Sequence, residues 1–188
     1  IDSYLIKGHE GVLDMLNTRY VISAEGEVVR RESANGAAWF VEDIVTAATP
    51  REALDMLGSE FLDECAIVEG GDSLAKSYDA SGSIELVEYA PNYLKYEYEV
   101  AGEALAVFSE IYFPDGWTAY IDGQQSDYFV ADYTLRAMEL PAGKHTVEWR
   151  FKAPGWGVAT AITGICSWLI LLGIVAVVVL ELRKRIKR

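Results

Sequence analysis

The 188-residue sequence predicts a mainly β protein, an antiparallel β-sandwich with one or two short helices, followed by a C-terminal transmembrane α-helix. Three observations carry that prediction. Residues 93–100 and 144–151 alternate apolar and polar side chains with the period of two that marks half-buried strands. Turn chemistry separates such runs at Asp122-Gly123 and at Pro141-Ala142-Gly143. Finally, no charged residue occurs from Gly157 to Leu180, and five basic residues follow.

Taken in order, Glu10 to Asn17 reads as a short helix with Val12, Leu13 and Leu16 on one face, leading into a strand at Tyr20 to Ile22. Ala24 to Gly36 is polar and reads as a loop or irregular hairpin, and Trp39 to Ala47 as a strand. Thr49 and Glu52, with Pro50 between them, make a capping box for a helix from Pro50 to about Leu57 that Gly58 ends. A short strand at Cys65 to Val68 precedes a Gly/Ser/Asp-rich break from Gly70 to Gly82. Alternation then dominates. Leu94, Tyr96, Tyr98 and Val100 face one way, Lys95, Glu97 and Glu99 the other, and Leu105 to Ile111 repeats the pattern. Trp117 to Ile121 and Gln125 to Val130 flank Asp122-Gly123, while Leu135 to Leu140 and Lys144 to Phe151 flank the second turn. Short antiparallel strands at this spacing point to a sandwich.

The uncharged run is about 36 Å long as a helix, enough to cross a hydrocarbon core of about 30 Å with some tilt. Its 13 Leu, Ile and Val residues favour insertion by a summed 4 to 8 kcal/mol, in order of magnitude. Trp156 stands where an interfacial anchor belongs, and Arg183, Lys184, Arg185, Lys187 and Arg188 predict a cytoplasmic tail, against Lys144, Arg150 and Lys152 on the other flank. The expected division is 1–155 as an extracytoplasmic sandwich, 156–182 as the span and 183–188 as the tail. Only Lys152 to Gly155 links strand to span, which puts the last strand at the membrane surface. Residues 1–30 hold neither a basic n-region nor an apolar h-region, so upstream spans are expected before Ile1. Gly157, Thr160, Ala161 and Gly164 form a small-residue strip suited to close helix contact; a lone anchor with incidental small residues is the alternative.

Charge narrows the function classes. Residues 1–156 hold 11 Lys or Arg against 28 Asp or Glu, a net −17, which would repel a phosphate backbone and argues against nucleic acid. Cys65 and Cys166 lie in environments that cannot meet, so no disulfide framework is expected. His9 and His145 are the only histidines and have no partner at metal-ligand spacing; no phosphate-loop or nucleophile-elbow pattern occurs, so no metal, cofactor or catalytic residue is assigned. Asp115, Asp122, Asp127 and Asp132 fit turn and solvent-face duty better than a calcium site or a glycosidase pair. The many tyrosines suit core and edge packing. Tyr93, Tyr128 and Tyr133, near turns, together with Trp117, are the candidates for stacking on a glycan.

The run Tyr89-Ala-Pro-Asn-Tyr-Leu-Lys-Tyr96, then Ser109-Glu-Ile-Tyr-Phe-Pro-Asp-Gly-Trp-Thr-Ala-Tyr-Ile-Asp-Gly123, then Pro141-Ala-Gly-Lys-His-Thr-Val147 before a membrane helix, resembles the C-terminal part of YfhO-type bacterial membrane proteins. Leu13 to Ile22 and Trp39 to Val41 fit its upstream end. The resemblance implies a polytopic protein of the bacterial cytoplasmic membrane, similar to glycosyltransferases of the GT-C type that use lipid-linked sugars, with the catalytic carboxylate in an early loop outside this sequence. The matching residues, Pro91-Asn92, Gly116-Trp117, Asp122-Gly123 and Gly143, support fold more than chemistry.

The expected function is therefore an accessory extracytoplasmic domain of a polytopic membrane glycosyltransferase, positioning glycan or acceptor in cell-envelope glycosylation and not catalytic alone. Its expected partners are the lipid bilayer, upstream transmembrane helices of the same protein, and a cell-envelope glycan or lipid-linked sugar. A non-catalytic structural or protein-interaction module is the alternative, and a hydrolase a third reading that needs turnover by the fragment itself.

Overall fold

The computed structural model describes residues 9–58, 62–70, 74–75 and 77–186. The chain divides after Phe151 into two units.

The first unit is mainly β. Helix α1 (Glu10–Met15) buries Val12 and Met15. Strands β1 (Tyr20–Ile22) and β2 (Val28–Arg30) pair as a two-stranded antiparallel ribbon, so the polar stretch after Ile22 is a hairpin. Arg31, just past the ribbon, reaches Glu10 and Asp14 of α1, each at 2.5 Å, and ties the ribbon's base to the helix. Strands β3 (Ala38–Val41) and β4 (Asp43–Ala47) follow, then helix α2 (Pro50–Met56) and strand β5 (Cys65–Glu69). The capping box is present: the Glu52 amide donates to the Thr49 hydroxyl at 3.2 Å, and the Glu52 carboxylate accepts from the Ala48 amide at 2.9 Å. Such a cap is worth about 1 kcal/mol. The remaining strands are β6 (Ser83–Ala90), β7 (Tyr93–Val100), β8 (Ala104–Ile111), β9 (Trp117–Ile121), β10 (Gln124–Ser126), β11 (Phe129–Ala131), β12 (Leu135–Leu140) and β13 (Gly143–Phe151).

A five-stranded sheet runs β10-β9-β13-β7-β6 and a six-stranded sheet β3-β8-β12-β11-β5-β4. Between them lies a core of Phe40, Leu94, Tyr96, Tyr98, Phe108, Met138, Val147 and Trp149. A second core fills the other face of the six-stranded sheet, where Leu105, Val107, Leu135 and Ala137 meet Val12, Met15, Ala53 and Leu57 of the helical segments. Strand β8 serves both: Ala104, Ala106 and Phe108 point to one core, Leu105 and Val107 to the other. Full burial of one such side chain, Phe108 for instance, contributes ~1.5–3 kcal/mol.

Two sequence expectations need correction. Trp39 to Ala47 is not one strand. It breaks at Glu42, and its halves form the two opposite flanks of the six-stranded sheet, which must curl to let consecutive segments occupy them. Gln125 to Val130 also divides, at Asp127-Tyr128, because the chain passes there from the five-stranded to the six-stranded sheet. The expected second turn, at Pro141-Ala142, joins β12 and β13, which belong to different sheets, and so is an arch. Asp122-Gly123 closes the expected hairpin, with φ of 49° and 80°. One pair, β4 with β5, is parallel, with α2 as its crossover.

The second unit holds helix α3 (Trp156–Ile186), long and apolar enough to cross a membrane and exposed throughout its apolar run. The hydroxyls of Thr160, Thr163 and Ser167 donate to the carbonyls of Trp156, Ala159 and Thr163 at 2.5, 2.8 and 2.8 Å, so their polar groups are satisfied within the helix. Nothing lies within 4 Å of where a Cβ on Gly157 or Gly164 would stand.

Candidate functional site

Trp117, the first residue of β9, points toward the inter-sheet core in phase with Ala119, and pairs across the strand with Phe151, ring centroids 5.2 Å apart. Tyr128, in the link from β10 to β11, donates its hydroxyl to the Trp117 carbonyl at 3.1 Å and meets Trp149 edge-on at 4.8 Å. Tyr112 packs against Tyr128 at 5.6 Å. With Pro114, Gln125 and Asp127, the rings of Tyr112, Trp117 and Tyr128 line a groove of about 160 Å³. It offers aromatic faces beside a carboxylate and a carboxamide, the combination that suits a sugar's apolar face and hydroxyl edge.

Of the four residues singled out from sequence, the structure brings two together here, Trp117 and Tyr128. Tyr93 lies on the outer face of the five-stranded sheet, where burial and the nearby Glu148 push its phenol pKa up. Tyr133 sits in the β11–β12 turn in the left-handed region, φ 67°, and does not line the groove.

Arg136, which sequence reading passed over, lies beneath Trp117. Its guanidinium carbon is 4.4 Å from the Trp117 ring centroid and 4.9 Å from that of Trp149, and Nε donates to the Ile111 carbonyl at 2.9 Å. Nη1 is buried without a protein acceptor, as are the Tyr96 hydroxyl and the Trp149 indole N–H. Desolvation lowers the Arg136 pKa, opposed by Glu110. Two stacked indoles stabilise the cation by roughly 2 kcal/mol or more each when desolvated. The signal in the sequence was a charge in phase with Met138 and Leu140 on the apolar face of its strand.

Asp132 corrects a further expectation, since it is in a turn but not on a solvent face. It is fully buried, one carboxylate oxygen accepting the Ile67 amide at 2.8 Å and the other without a partner. Desolvation pushes its pKa up to about 7. At the end of β9 away from Trp117, the Asp122 carboxylate stands 2.6 Å from His145 Nδ1 and accepts from the Thr146 amide at 2.9 Å. His145 Nε2 is 3.2 Å from the Ala142 carbonyl. Both neighbours of the ring are acceptors, so the geometry favours the imidazolium, whose pKa is raised by Asp122 and then by Ala142. A ring that donates from both nitrogens has no lone pair for general base work, and the pair is a clasp between hairpin and arch. Among the described residues no group of three His, Cys, Asp or Glu is placed to hold a metal ion.

Comparison with family models, with curated proteins and with solved structures gave no match.

Proposed function

We propose that the chain is the extracytoplasmic, membrane-tethered portion of a polytopic bacterial glycosyltransferase of YfhO type, and that its sandwich positions a glycan at the Trp117–Tyr128 groove. Three things support the reading: the ordered motifs from Tyr89 to Val147, the helix with its basic end, and the groove itself. The observation that carries it is the convergence of Trp117 and Tyr128, eleven residues apart in sequence, beside Asp127 and Gln125. The sandwich lies outside the cytoplasm, since the five basic residues after the span hold the tail inside. Chemistry in such an enzyme belongs to its membrane-embedded part, and the sandwich contributes binding.

The test is binding of envelope glycans and polyprenyl-linked sugars to the full chain in nanodiscs, with Asp127→Ala and Gln125→Ala as variants that leave the aromatic packing intact. A lost carboxylate hydrogen bond costs about 1.5–3 kcal/mol, so Asp127→Ala should weaken binding roughly tenfold or more. No glycan binding, or binding indifferent to both variants, refutes the reading.

One observation favours a second reading, a protein-interaction module. The β1–β2 ribbon exposes Tyr20, Ile22, Val28 and Val29 and joins neither large sheet, and a two-stranded ribbon is marginal unless packed on something. Capture of another subunit that Ile22→Ser abolishes, with no glycan bound, would select it.

A further inference from the structure

One end of the sandwich is rimmed with exposed apolar side chains. Register fixes which residues share it. Phe151 pairs with Trp117 and donates its amide to the Asn92 carbonyl at 2.9 Å, while Arg150 pairs with Tyr93 and Tyr93 with Ala90. This brings the β6–β7 turn, with Tyr89 just before it, to the end of the five-stranded sheet where β13 finishes. On the six-stranded sheet Ile111 pairs with Leu135, and the Tyr112 amide donates to the Thr134 carbonyl at 2.7 Å. The link 112–116 then leads straight to Trp117, so both sheets present these residues at one end. Here Tyr89, Ile111, Phe113 and Tyr133 are 71, 54, 50 and 37% exposed. The opposite end, made by 101–103, 122–123 and 141–142, has no large apolar side chain in its turns.

We infer that this rim is a lipid-contacting surface, with Tyr89, Ile111, Phe113 and Tyr133 resting in the headgroup layer of the leaflet from which the helix emerges. The tether selects the occupant. Phe151 ends the last strand and Trp156 begins the helix, and five peptide steps extend at most ~18 Å. The strand end bearing the rim is thus held within reach of the interfacial zone whatever path the tether takes. Side-chain chemistry agrees, because tyrosine rings with a polar tip settle at headgroup depth and Phe and Ile supply apolar area without charge. The net −17 of residues 1–156 would be repelled by anionic lipid, so the contact is apolar and draws nothing from lipid charge. The inference requires the helix to cross the bilayer but not the groove to hold a glycan.

The test is nitroxide accessibility on the full chain in phosphatidylcholine nanodiscs. Labels are placed at Phe113→Cys and Tyr89→Cys, with Ala142→Cys as the opposite-end control, each in a Cys166→Ser background; a separate sample is labelled at native Cys166. All three engineered sites lie on the surface, so the fold tolerates them. Collision with oxygen relative to a water-soluble nickel chelate should be several-fold higher at 89 and 113 than at 142, and should not rise when anionic lipid is added. Equal ratios at the three positions overturn the inference, as does exclusion of both reagents from 89 and 113, which would mean that protein covers the rim. Nickel access at Cys166 would remove the span and the inference with it.

Discussion

Replacing Asp132 with Asn isolates one buried carboxyl and gives a result opposite to the usual cost of a core substitution. Asp132 is fully buried, accepts the Ile67 amide through one oxygen and leaves the other without a partner. Its pKa is pushed from the ordinary 3.8 to about 7 by desolvation. The folded state therefore holds this proton more tightly than the unfolded chain does. Stability from that proton is fully present below pH ~4 and is lost as pH rises toward and through ~7. A difference of about 3 pKa units corresponds to about 4 kcal/mol, the penalty that wild type carries at alkaline pH for an ionised group in that site. Asn keeps the oxygen that accepts from Ile67, cannot ionise, and tolerates the φ of 49° at this position. Asp132→Asn should consequently be more stable than wild type by up to about 4 kcal/mol at pH 9, with the gap closing as pH falls to 4. Urea unfolding of the detergent-solubilised chain, followed by tryptophan fluorescence, measures it. A difference between the two proteins that does not change with pH, or that grows on acidification, refutes the reasoning.

Two further substitutions probe the clasp and the packing. His145 has a raised pKa, so the stability that it draws from Asp122 is present below its unfolded value near 6.5 and disappears as pH climbs through the higher folded value; His145→Gln should therefore destabilise more at pH 5 than at pH 9, and an imidazole titrating at or below 6.5 by NMR would contradict this. Gly82→Ala would drive a Cβ into the Glu99 carbonyl oxygen and to 2.8 Å from the Val100 Cβ, and because both lie on or next to backbone the expected loss is ~1–3 kcal/mol, read as a lower urea midpoint; an unchanged midpoint would show that the β6–β7 edge yields.

What was legible in the sequence was local. Alternation in β7 and β13, the Thr49 cap and the Asp122-Gly123 hairpin each depend on residues a few positions apart, and each is present. Sheet membership was not legible, since Pro141-Ala142-Gly143 states that the chain turns but not which strand it meets next. The break at Glu42 carries no Gly or Pro, because it is imposed by the curl of the sheet and not by a local dihedral preference. The groove shows the same limit. Turn proximity picked out Trp117 and Tyr128, which the fold brings side by side, yet it grouped them with Tyr93, which the alternation of β7 sends to the outer face, and with Tyr133, which does not line the groove. Arg136 and Asp132 were hidden because burial of a charge is decided by residues distant in sequence: Trp117 and Trp149 for one, Ile67 for the other.

The curl also dictates an order of assembly during translation. One flank of the six-stranded sheet, β3, and the β4–β5 pair that makes the other are synthesised before residue 70, but the strands between them, β8, β12 and β11, come later, Ala38 waiting for Phe108 and Val68 for Ala131. A nascent chain stalled between those points holds two outer strands with no centre to join, and contacts so distant form slowly. By the time Phe151 is made the sheet has all its strands, and the next segment to leave the ribosome is the apolar helix, so completion of this sheet and emergence of a helix long enough to cross a membrane fall within the same few seconds of synthesis.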